Sequence, residues 1–375
     1  MVYLDYNATT PLCLEAKEAM LPFLDGIYGN PSSIHSEGRR ARAEVDEARD
    51  RVAAVMGVRP HEIIFTGGGT ESCNLGIIGL ARAHAPKGRH IITSSIEHHA
   101  VLHAFEYLKH FEGFEVEILP VERNGIVSPD RLAAMIHPDT TLVSVMHANN
   151  ETGAIQPLRE LSEICRDHGV LLHTDAVQTF GKIPMKPADL GVSALSISSH
   201  KFYGPKGVGA LFLAAGVALS RTVHGGAQEN TRRPGTENVA GIAGMAAAAE
   251  MTFSQAPLLP LREQLWDGIL DACPTALRNG DAEHSLANTL NVSFPGMDGE
   301  ALLIGLDLEG VCASSGSACM VGSIRPSHVL LAMGLPPATA MATVRFSLGR
   351  ETTANDISHA ISAVHNVAAN QLLPA

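Results

Sequence analysis

The sequence has 375 residues, 45% of them hydrophobic and 18% charged, a balance typical of a globular protein with a large buried core. Its 39 acidic residues outnumber its 27 basic ones, and the net charge of -12 argues against a surface built to hold nucleic acid or an anionic membrane. The apolar runs are too short to cross a bilayer, the start lacks a signal-peptide pattern, and the 6 scattered cysteines form no C-x-x-C pair, so we expect a reduced, cytoplasmic protein.

Helical and strand-like periods alternate from about residue 40 to residue 215. A helix is predicted over 39–57, where valines and alanines recur along one side. A strand, a glycine loop and a helix follow over 61–84, and strand-like runs that each lead into a polar loop recur further along. Short apolar strands separated by helices predict a mostly parallel sheet covered on both faces, and ligands of such sheets bind at the carboxyl ends of the strands.

The chain changes character after about residue 250. Residues 257–280 contain a helix that ends at a Cys-Pro pair, and residues 288–311 are typical of a strand followed by a helix. This pattern predicts a smaller α+β domain. We therefore predict a large domain over 14–255 and a small domain formed by 1–13 and 256–375.

Two polar loops follow strands in the first half of the chain. In FTGGGTES, three glycines let main-chain N–H groups approach an anion such as phosphate, and Thr70 adds a hydroxyl. A plain tight turn explains this loop equally well. In NNETG, Asn150 is either a hydrogen-bond donor to a cofactor or a turn residue.

Adjacent histidines follow another strand in IEHHAVL. One of them can stack on a flat cofactor and carry a proton, because the pKa of histidine lies near neutrality. His99 and His103 have the spacing of a metal-binding pair, but the matching cysteine or carboxylate ligands are missing from their surroundings, so we expect no metal there.

Asp175 comes directly after the apolar run GVLL, in HTDAVQTFG. It is either a helix N-cap or a counter-ion that keeps the nitrogen of a pyridine ring protonated. Gln178 is placed to donate a hydrogen bond to a phenolate oxygen of the same ring.

Lys201 lies between a strand of small residues and a Gly-Pro turn, in SISSHKFYGPKG. Burial there would lower its pKa and let the neutral amine form a Schiff base, with Ser198 and His200 binding a phosphate beside it. The alternative is a solvated loop lysine.

Two further residues suit a site that handles an amino acid. Cys319 lies among Gly, Ser and Ala in ASSGSACMVGS, where a thiolate can be exposed, whereas Cys312 suits a buried position. Arg345 alternates with Val344 and Phe346 along a predicted strand, and a guanidinium matches a carboxylate with two hydrogen bonds. Arg350 begins the next loop and suits the surface.

These motifs occur together in the order seen in one known family. YLDYNATTP, GNPSSIH, GGGTES, EHHAVL, NNETG, HTDAVQ, SISSHKFYGPKG, RPGTEN, SSGSAC and VRFSLGR span essentially the whole chain. In this order they resemble the cysteine desulfurases of the NifS/IscS type, in the class V aminotransferase-like group of fold-type I pyridoxal 5'-phosphate (PLP) enzymes. The resemblance implies an α/β fold, with a mostly parallel seven-stranded sheet in the large domain and a smaller α+β domain.

The resemblance also implies a role for each singled-out residue. Lys201 would hold the cofactor covalently, Asp175 would pair with its ring nitrogen, and His98 would stack on its ring. Asn150 and Gln178 would contact the phenolate oxygen. The phosphate would be bound by Gly69, Thr70, Ser198 and His200, and by Thr236 from across a homodimer interface. For the substrate, Arg345 and Asn150 would bind the amino acid, Lys201 and His98 would move protons, and Cys319 would be the nucleophile.

The implied reaction converts L-cysteine into L-alanine and leaves the sulfur as a persulfide on Cys319, for iron–sulfur cluster assembly or thiolation. The implied partners are L-cysteine, a sulfur acceptor such as an iron–sulfur scaffold protein, and a second copy of the chain, without stable nucleic-acid or membrane binding. No resident metal is expected, although Cys319 is a candidate transient iron–sulfur ligand. The alternatives are a class V aminotransferase, a selenocysteine lyase and a catalytically idle binding partner.

Overall fold

The computed structural model describes residues 1–251, 255–315 and 325–371. The strands are β1 Val2–Tyr3, β2 Ile63–Thr66, β3 His90–Ser94, β4 Glu115–Leu119, β5 Thr140–Ser144, β6 Leu171–Asp175, β7 Ala194–Ser198, β8 Gly209–Leu213, β9 Leu277–Asn279, β10 Thr289–Ser293, β11 Val311–Cys312 and β12 Thr343–Ser347. The α-helices are α1 Leu14–Asp25, α2 Ser36–Met56, α3 Gly69–His84, α4 His99–Glu112, α5 Pro129–Met135, α6 Leu158–Asp167, α7 Pro187–Leu190, α8 Val239–Glu250, α9 Leu258–Ala272, α10 Gly299–Leu308, α11 His328–Ala332, α12 Pro337–Met341 and α13 Ala354–Gln371. Within the described ranges, no helix is long and apolar enough to cross a membrane.

The central sheet has seven strands in the order β2-β8-β7-β6-β5-β3-β4. Its strands run parallel except β8, which is antiparallel to both of its neighbours. The strands β3, β5, β6 and β7 are buried along their whole length or nearly so, as expected when helices cover both faces of a parallel sheet. The predicted mostly parallel sheet is therefore confirmed. Its parallel strands end at one edge, and the polar loops follow them there.

Helix α2 confirms the helix predicted from apolar spacing. Val45, Ala48 and Val52 are fully buried along one side, and burying each valine stabilises the fold by roughly 1.5–3 kcal/mol. The helix ends at Gly57, whose φ of 67° is the left-handed conformation of a helix C-cap. The alanine-rich helix α8 packs against both α1 and α2, because its small side chains let the neighbouring helices approach closely.

A second hydrophobic core forms around the three-stranded sheet β12-β10-β9. Helices α9, α10 and α13 cover it, and α9 ends at Ala272, next to the Cys-Pro pair that was predicted to stop it. Strand β1 pairs with β11, so Val2 and Leu4 belong to this core, whereas Tyr6 already packs in the first one. The N-terminal segment therefore passes from the second core to the first between Leu4 and Tyr6. The domain limits at 14 and 255 stay a prediction.

Candidate active site

A cavity of about 410 Å³ opens at the carboxyl ends of β5, β6 and β7, a size that suits a small ligand. Its lining is Asn7, Ala8, Gly69, Thr70, His98, Ala100, Met146, Ala148, Asn150, Asp175, Val177, Gln178, Ser198, His200, Lys201 and Arg345. Ten residues singled out in the sequence thus meet in one place: Gly69, Thr70, His98, Asn150, Asp175, Gln178, Ser198, His200, Lys201 and Arg345.

The structure does not test two of the predicted site residues. Thr236 is exposed and does not line this cavity, so the prediction that it reaches a phosphate in a second copy of the chain stays a prediction. Cys319 lies outside the described residues, and its role stays a prediction as well.

One end of the cavity is built for an anion. A Cβ atom on Gly69 would come within 2.9 Å of Val177 Cγ2 and 3.1 Å of Ser198 Cβ, so this position has room for glycine only. Gly69 also begins α3, whose first main-chain N–H groups and helix dipole favour negative charge. Thr70 and Ser198 add hydroxyl groups to the same lining.

His200 completes the anion-binding end as a neutral donor. Its Nδ1 lies 3.1 Å from Thr9 Oγ1. Burial, with the nearby positive charges of Lys201 and Lys206, lowers the pKa of His200 to about 4. The imidazole is therefore uncharged at neutral pH and binds by hydrogen bonding rather than by charge.

Asp175 is a buried carboxylate at the end of β6. Its Oδ1 accepts a hydrogen bond from Val177 N at 2.9 Å, and the Cys73 thiol is a second partner. Neither partner is a cation, and burial raises the pKa of Asp175. A cationic ligand group placed beside this carboxylate would stabilise its charged form.

His98 precedes α4 and caps it, because its Nδ1 accepts a hydrogen bond from Ala100 N at 3.1 Å. That bond leaves Nε2 to carry the proton of the neutral ring. Burial lowers the pKa of His98, which favours this neutral form. The ring can therefore stack on a flat ligand and present its Nε2 proton to it.

Lys201 ends the short 3-10 helix Ser199–Lys201 that follows β7. Its Nζ donates hydrogen bonds to the main-chain carbonyl oxygens of Asn7 and, at 2.7 Å, of Ala8. The lysine is partly buried and its amine points to the N-terminal segment instead of extending into solvent. This places a reactive amine on the cavity wall.

Arg345, from β12, is only 3% exposed and brings a cation into the cavity from the second core. Its two terminal nitrogens donate to Asp5 Oδ1 at 2.7 Å and to the main-chain oxygen of Asn150 at 3.0 Å. Its Nε has no hydrogen-bond partner among the described residues. Of the five N–H groups of a guanidinium, these bonds use two, so donors remain for a carboxylate.

Three residues of this region were missed by the sequence analysis: Asn7, Lys182 and Glu97. Asn7 lines the cavity, and Lys182 and Glu97 are buried behind it. A sequence signal existed for Lys182, a lysine inside the otherwise apolar stretch TFGKIPM, and for Glu97, a carboxylate three residues after a buried strand. Nothing in the N-terminal residues indicated that the chain would bring Asn7 back to this sheet edge.

Glu97 is fully buried. Its Oε1 accepts hydrogen bonds from Ser94 Oγ at 2.5 Å and Met146 N at 2.8 Å, and its Oε2 has no partner among the described residues. Burial raises the pKa of Glu97 to about 8. The side chain is therefore protonated in the folded protein over a range of pH in which the unfolded chain holds it ionised.

This difference predicts a pH-dependent effect of Glu97→Gln. A raised pKa in the folded state gives stability that is complete below the ordinary pKa of a glutamate and is lost as the pH rises towards about 8. Glutamine mimics the protonated acid, so the variant should gain roughly 1 kcal/mol per pH unit over the wild type within that window. Unfolding midpoints of both proteins between pH 5 and pH 8 check this. The exposed Glu106→Gln is the control, and a constant difference across the window would refute the account.

This chain is similar to known proteins over almost its whole length. A sequence model of the family described as "Aminotransferase class-V" matches residues 2–359. A "Cysteine desulfurase IscS" of Dictyoglomus turgidum is 48% identical over 371 residues, which cover 98% of this chain and 94% of that protein. One from Methanosarcina thermophila is 47% identical, covering 98% and 91%. A solved structure of a "NIFS-LIKE PROTEIN" superposes with a TM-score of 0.92 at 38% identity and covers 98% of this chain and 99% of that one.

The chain therefore belongs to the class-V aminotransferase family. The predicted fold class is confirmed, since the mixed seven-stranded sheet and its helices match a NifS-like structure. The family consists of enzymes that use PLP, so both the predicted cofactor and the predicted enzyme class are confirmed.

The cavity fits this cofactor. It offers a glycine-lined anion site at the start of α3, a buried carboxylate whose hydrogen-bond partners are uncharged, and an amine after the neighbouring strand β7. These are the complements of a phosphate, a protonated pyridine nitrogen and an aldehyde.

Proposed function

We propose that this enzyme is a cysteine desulfurase, which takes the sulfur from L-cysteine onto Cys319 and leaves L-alanine. The observation that carries the proposal is the meeting of Lys201, Asp175 and Arg345 in one cavity. An amine and a carboxylate serve the cofactor, while the buried arginine supplies a binding group for an amino-acid carboxylate. The relatives named cysteine desulfurase match the chain over nearly its full length.

The lining divides into groups that would hold different parts of the cofactor. The proposed contacts are Gly69, Thr70, Ser198 and His200 with the phosphate, Asp175 with the ring nitrogen, Asn150 and Gln178 with the phenolate oxygen, His98 with the ring face, and Lys201 as the covalent attachment. When bound, PLP withdraws electrons from the Cα of an amino acid, and a protonated ring nitrogen beside Asp175 strengthens that withdrawal.

Lys201 and His98 would handle the protons of the reaction. The Lys201 amine would be the base that takes the α-proton of cysteine. The lowered pKa of His98 keeps its ring neutral, with the Nε2 proton available for donation at a second position. The low pKa of His200 keeps that residue out of proton transfer at neutral pH.

Cys319 would receive the sulfur. Its thiolate attacks the substrate sulfur, so that an S–S bond forms as the Cβ–S bond of the substrate breaks and its electron pair goes to Cβ. Protonation of that carbon and return of a proton to Cα complete alanine, and the sulfur stays on Cys319 as a persulfide. Gly, Ser and Ala around Cys319 suit a residue that must meet both a substrate and an acceptor.

The partners follow from this chemistry. We propose that the persulfide passes to an acceptor protein such as an iron–sulfur scaffold, in the cytoplasm. We also propose a homodimer in which Thr236 of one protomer contacts the phosphate held by the other. The exposed position of Thr236 supports this arrangement, because that side chain is available to a neighbouring protomer.

Arg345 offers the test of the proposed substrate. Arg345→Gln should lower kcat/KM for alanine formation from L-cysteine by about 10–100-fold, because a charge-assisted hydrogen bond is worth about 1.5–3 kcal/mol. Cysteamine, which lacks the carboxylate, should react equally well with the variant and the wild type. The visible absorbance of the bound cofactor should persist in the variant.

Arg350→Gln is the matched control, since its guanidinium lies over the Tyr203 ring, 4.4 Å from the ring centre, and does not line the cavity. The proposal fails if cofactor-loaded wild-type enzyme forms no alanine from L-cysteine. It also fails if Arg345→Gln and Arg350→Gln have the same effect on L-cysteine.

A further inference from the structure

Lys182 is a buried lysine behind the cavity. It follows β6, is 5% exposed and does not line the cavity itself. Its Nζ donates hydrogen bonds to Gln178 Oε1 at 2.9 Å and to Asn7 Oδ1 at 3.2 Å. Both partners are amide oxygens, so the charge of this lysine is not balanced by either of them.

Both partners of Lys182 belong to the cavity lining. Gln178 Nε2 donates to the main-chain oxygen of Asn7 at 3.0 Å, and Lys201 Nζ donates to the same oxygen. Asn288 Nδ2 donates to Asn7 Oδ1 at 3.0 Å, beside the bond from Lys182. Lys182 therefore binds the predicted phenolate-binding amide directly and is linked to the reactive lysine through Asn7.

The observed contacts give this interaction a direction. Nζ is the donor in both of its hydrogen bonds and binds the oxygen of each amide, not the nitrogen. A glutamine side chain alone can turn either end towards the cavity. With Lys182 on Oε1, the amide of Gln178 presents its N–H groups on the other side, where one of them reaches Asn7 O.

We infer that Lys182 is a positioning residue, which holds the Gln178 amide with its donors towards the cofactor and keeps Asn7 in place beside Lys201. This inference rests on the proposed function, because the orientation of Gln178 acts on the reaction only through a bound cofactor.

Packing alone does not account for a lysine at this position. Burial, together with the charges of Lys201 and Arg345, lowers the pKa of Lys182 well below its ordinary value. A buried amine thus opposes folding, whereas methionine has a similar length and fills such a space without a charge. The hydrogen bonds to Gln178 and Asn7 are the feature that methionine would not replace.

The test is a pH titration of the visible absorbance of the PLP-loaded enzyme without substrate. Loss of a donor to the phenolate oxygen makes the chromophore more basic, so Lys182→Met should raise the midpoint by about one pH unit. Gln178→Met should raise it by a similar amount, and the double variant should show no further shift. Lys186→Met, the same change at an exposed lysine of the same loop, should titrate like the wild type.

A purely structural role for Lys182 would lower the melting temperature but leave the absorbance midpoint unchanged, and that outcome overturns the inference. Additive shifts in the double variant overturn it as well. A wild type that acquires no visible band with PLP contradicts the proposed function instead.

A second variant keeps Lys182 in place. Gln178→Glu presents Lys182 with a carboxylate, so it should melt above Gln178→Met. Melting below Gln178→Met would indicate an isolated buried carboxylate, and the proposed contact would then be refuted.

Discussion

A Lys201→Ala variant should bind PLP without a covalent bond and form alanine from L-cysteine at least about 10³-fold more slowly than the wild type. The expected loss is large because the same amine would hold the cofactor and take the α-proton. The position of Nζ supports both roles. Lys201 lines the cavity, and its Nζ donates hydrogen bonds to the main-chain oxygens of Asn7 and Ala8.

Borohydride treatment followed by peptide mass analysis measures the covalent link directly. In the wild type it should fix the cofactor on the peptide that contains Lys201, and in Lys201→Ala on no lysine. Lys109→Ala, on the exposed side of α4, should behave like the wild type. Retention of full activity by Lys201→Ala would show that another amine binds the cofactor and takes the α-proton.

A Cys319→Ala variant should keep the cofactor absorbance and lose alanine and sulfide formation by about 10³-fold or more. The reason is specific to sulfur transfer: a class V aminotransferase needs the lysine and the arginine but no thiol. Binding of L-cysteine should still change the visible spectrum of the variant, because the residues that line the cavity remain in place.

Cys312→Ala is the matched control, since it removes a thiol from β11 in the same part of the chain. It should retain most of the activity. If Cys319→Ala instead forms alanine as fast as the wild type, Cys319 is not the sulfur carrier and the aminotransferase and lyase alternatives gain support.

Much of the cavity could be predicted because of one rule of parallel sheets. Residues that follow neighbouring parallel strands meet at the same edge, so the sequence alone predicts that Asn150, Asp175 and Lys201 lie together. The glycine loop before α3 follows β2, which joins the sheet beside β8, and it reaches the same edge.

The remaining contacts depend on pairings between distant parts of the chain. Asn7 accepts hydrogen bonds from Lys182 and Gln178 only because β1 pairs with β11 and the next residues cross to the central sheet. The pairing of Arg345 with Asp5 has the same origin. Local periodicity holds no information about such pairings, since it reports which face of an element is buried and not which element lies opposite.

The antiparallel direction of β8 also could not be predicted from the local sequence pattern. Its sequence GALFL is as apolar as the parallel strands, so it was predictable as a buried strand, but its direction follows from the short connection after β7. Thr236 and Cys319 depend respectively on a second protomer and on residues outside the described ranges, and their roles rest on the family resemblance.

The most direct measurement of the central claim is a single turnover without reductant. PLP-loaded enzyme is mixed with one equivalent of L-cysteine, and both alanine and the mass of the peptide containing Cys319 are determined. We predict one alanine per active site and a gain of one sulfur atom on that peptide. Alanine without added sulfur on Cys319, or pyruvate or an amino-group transfer product in place of alanine, would contradict the account.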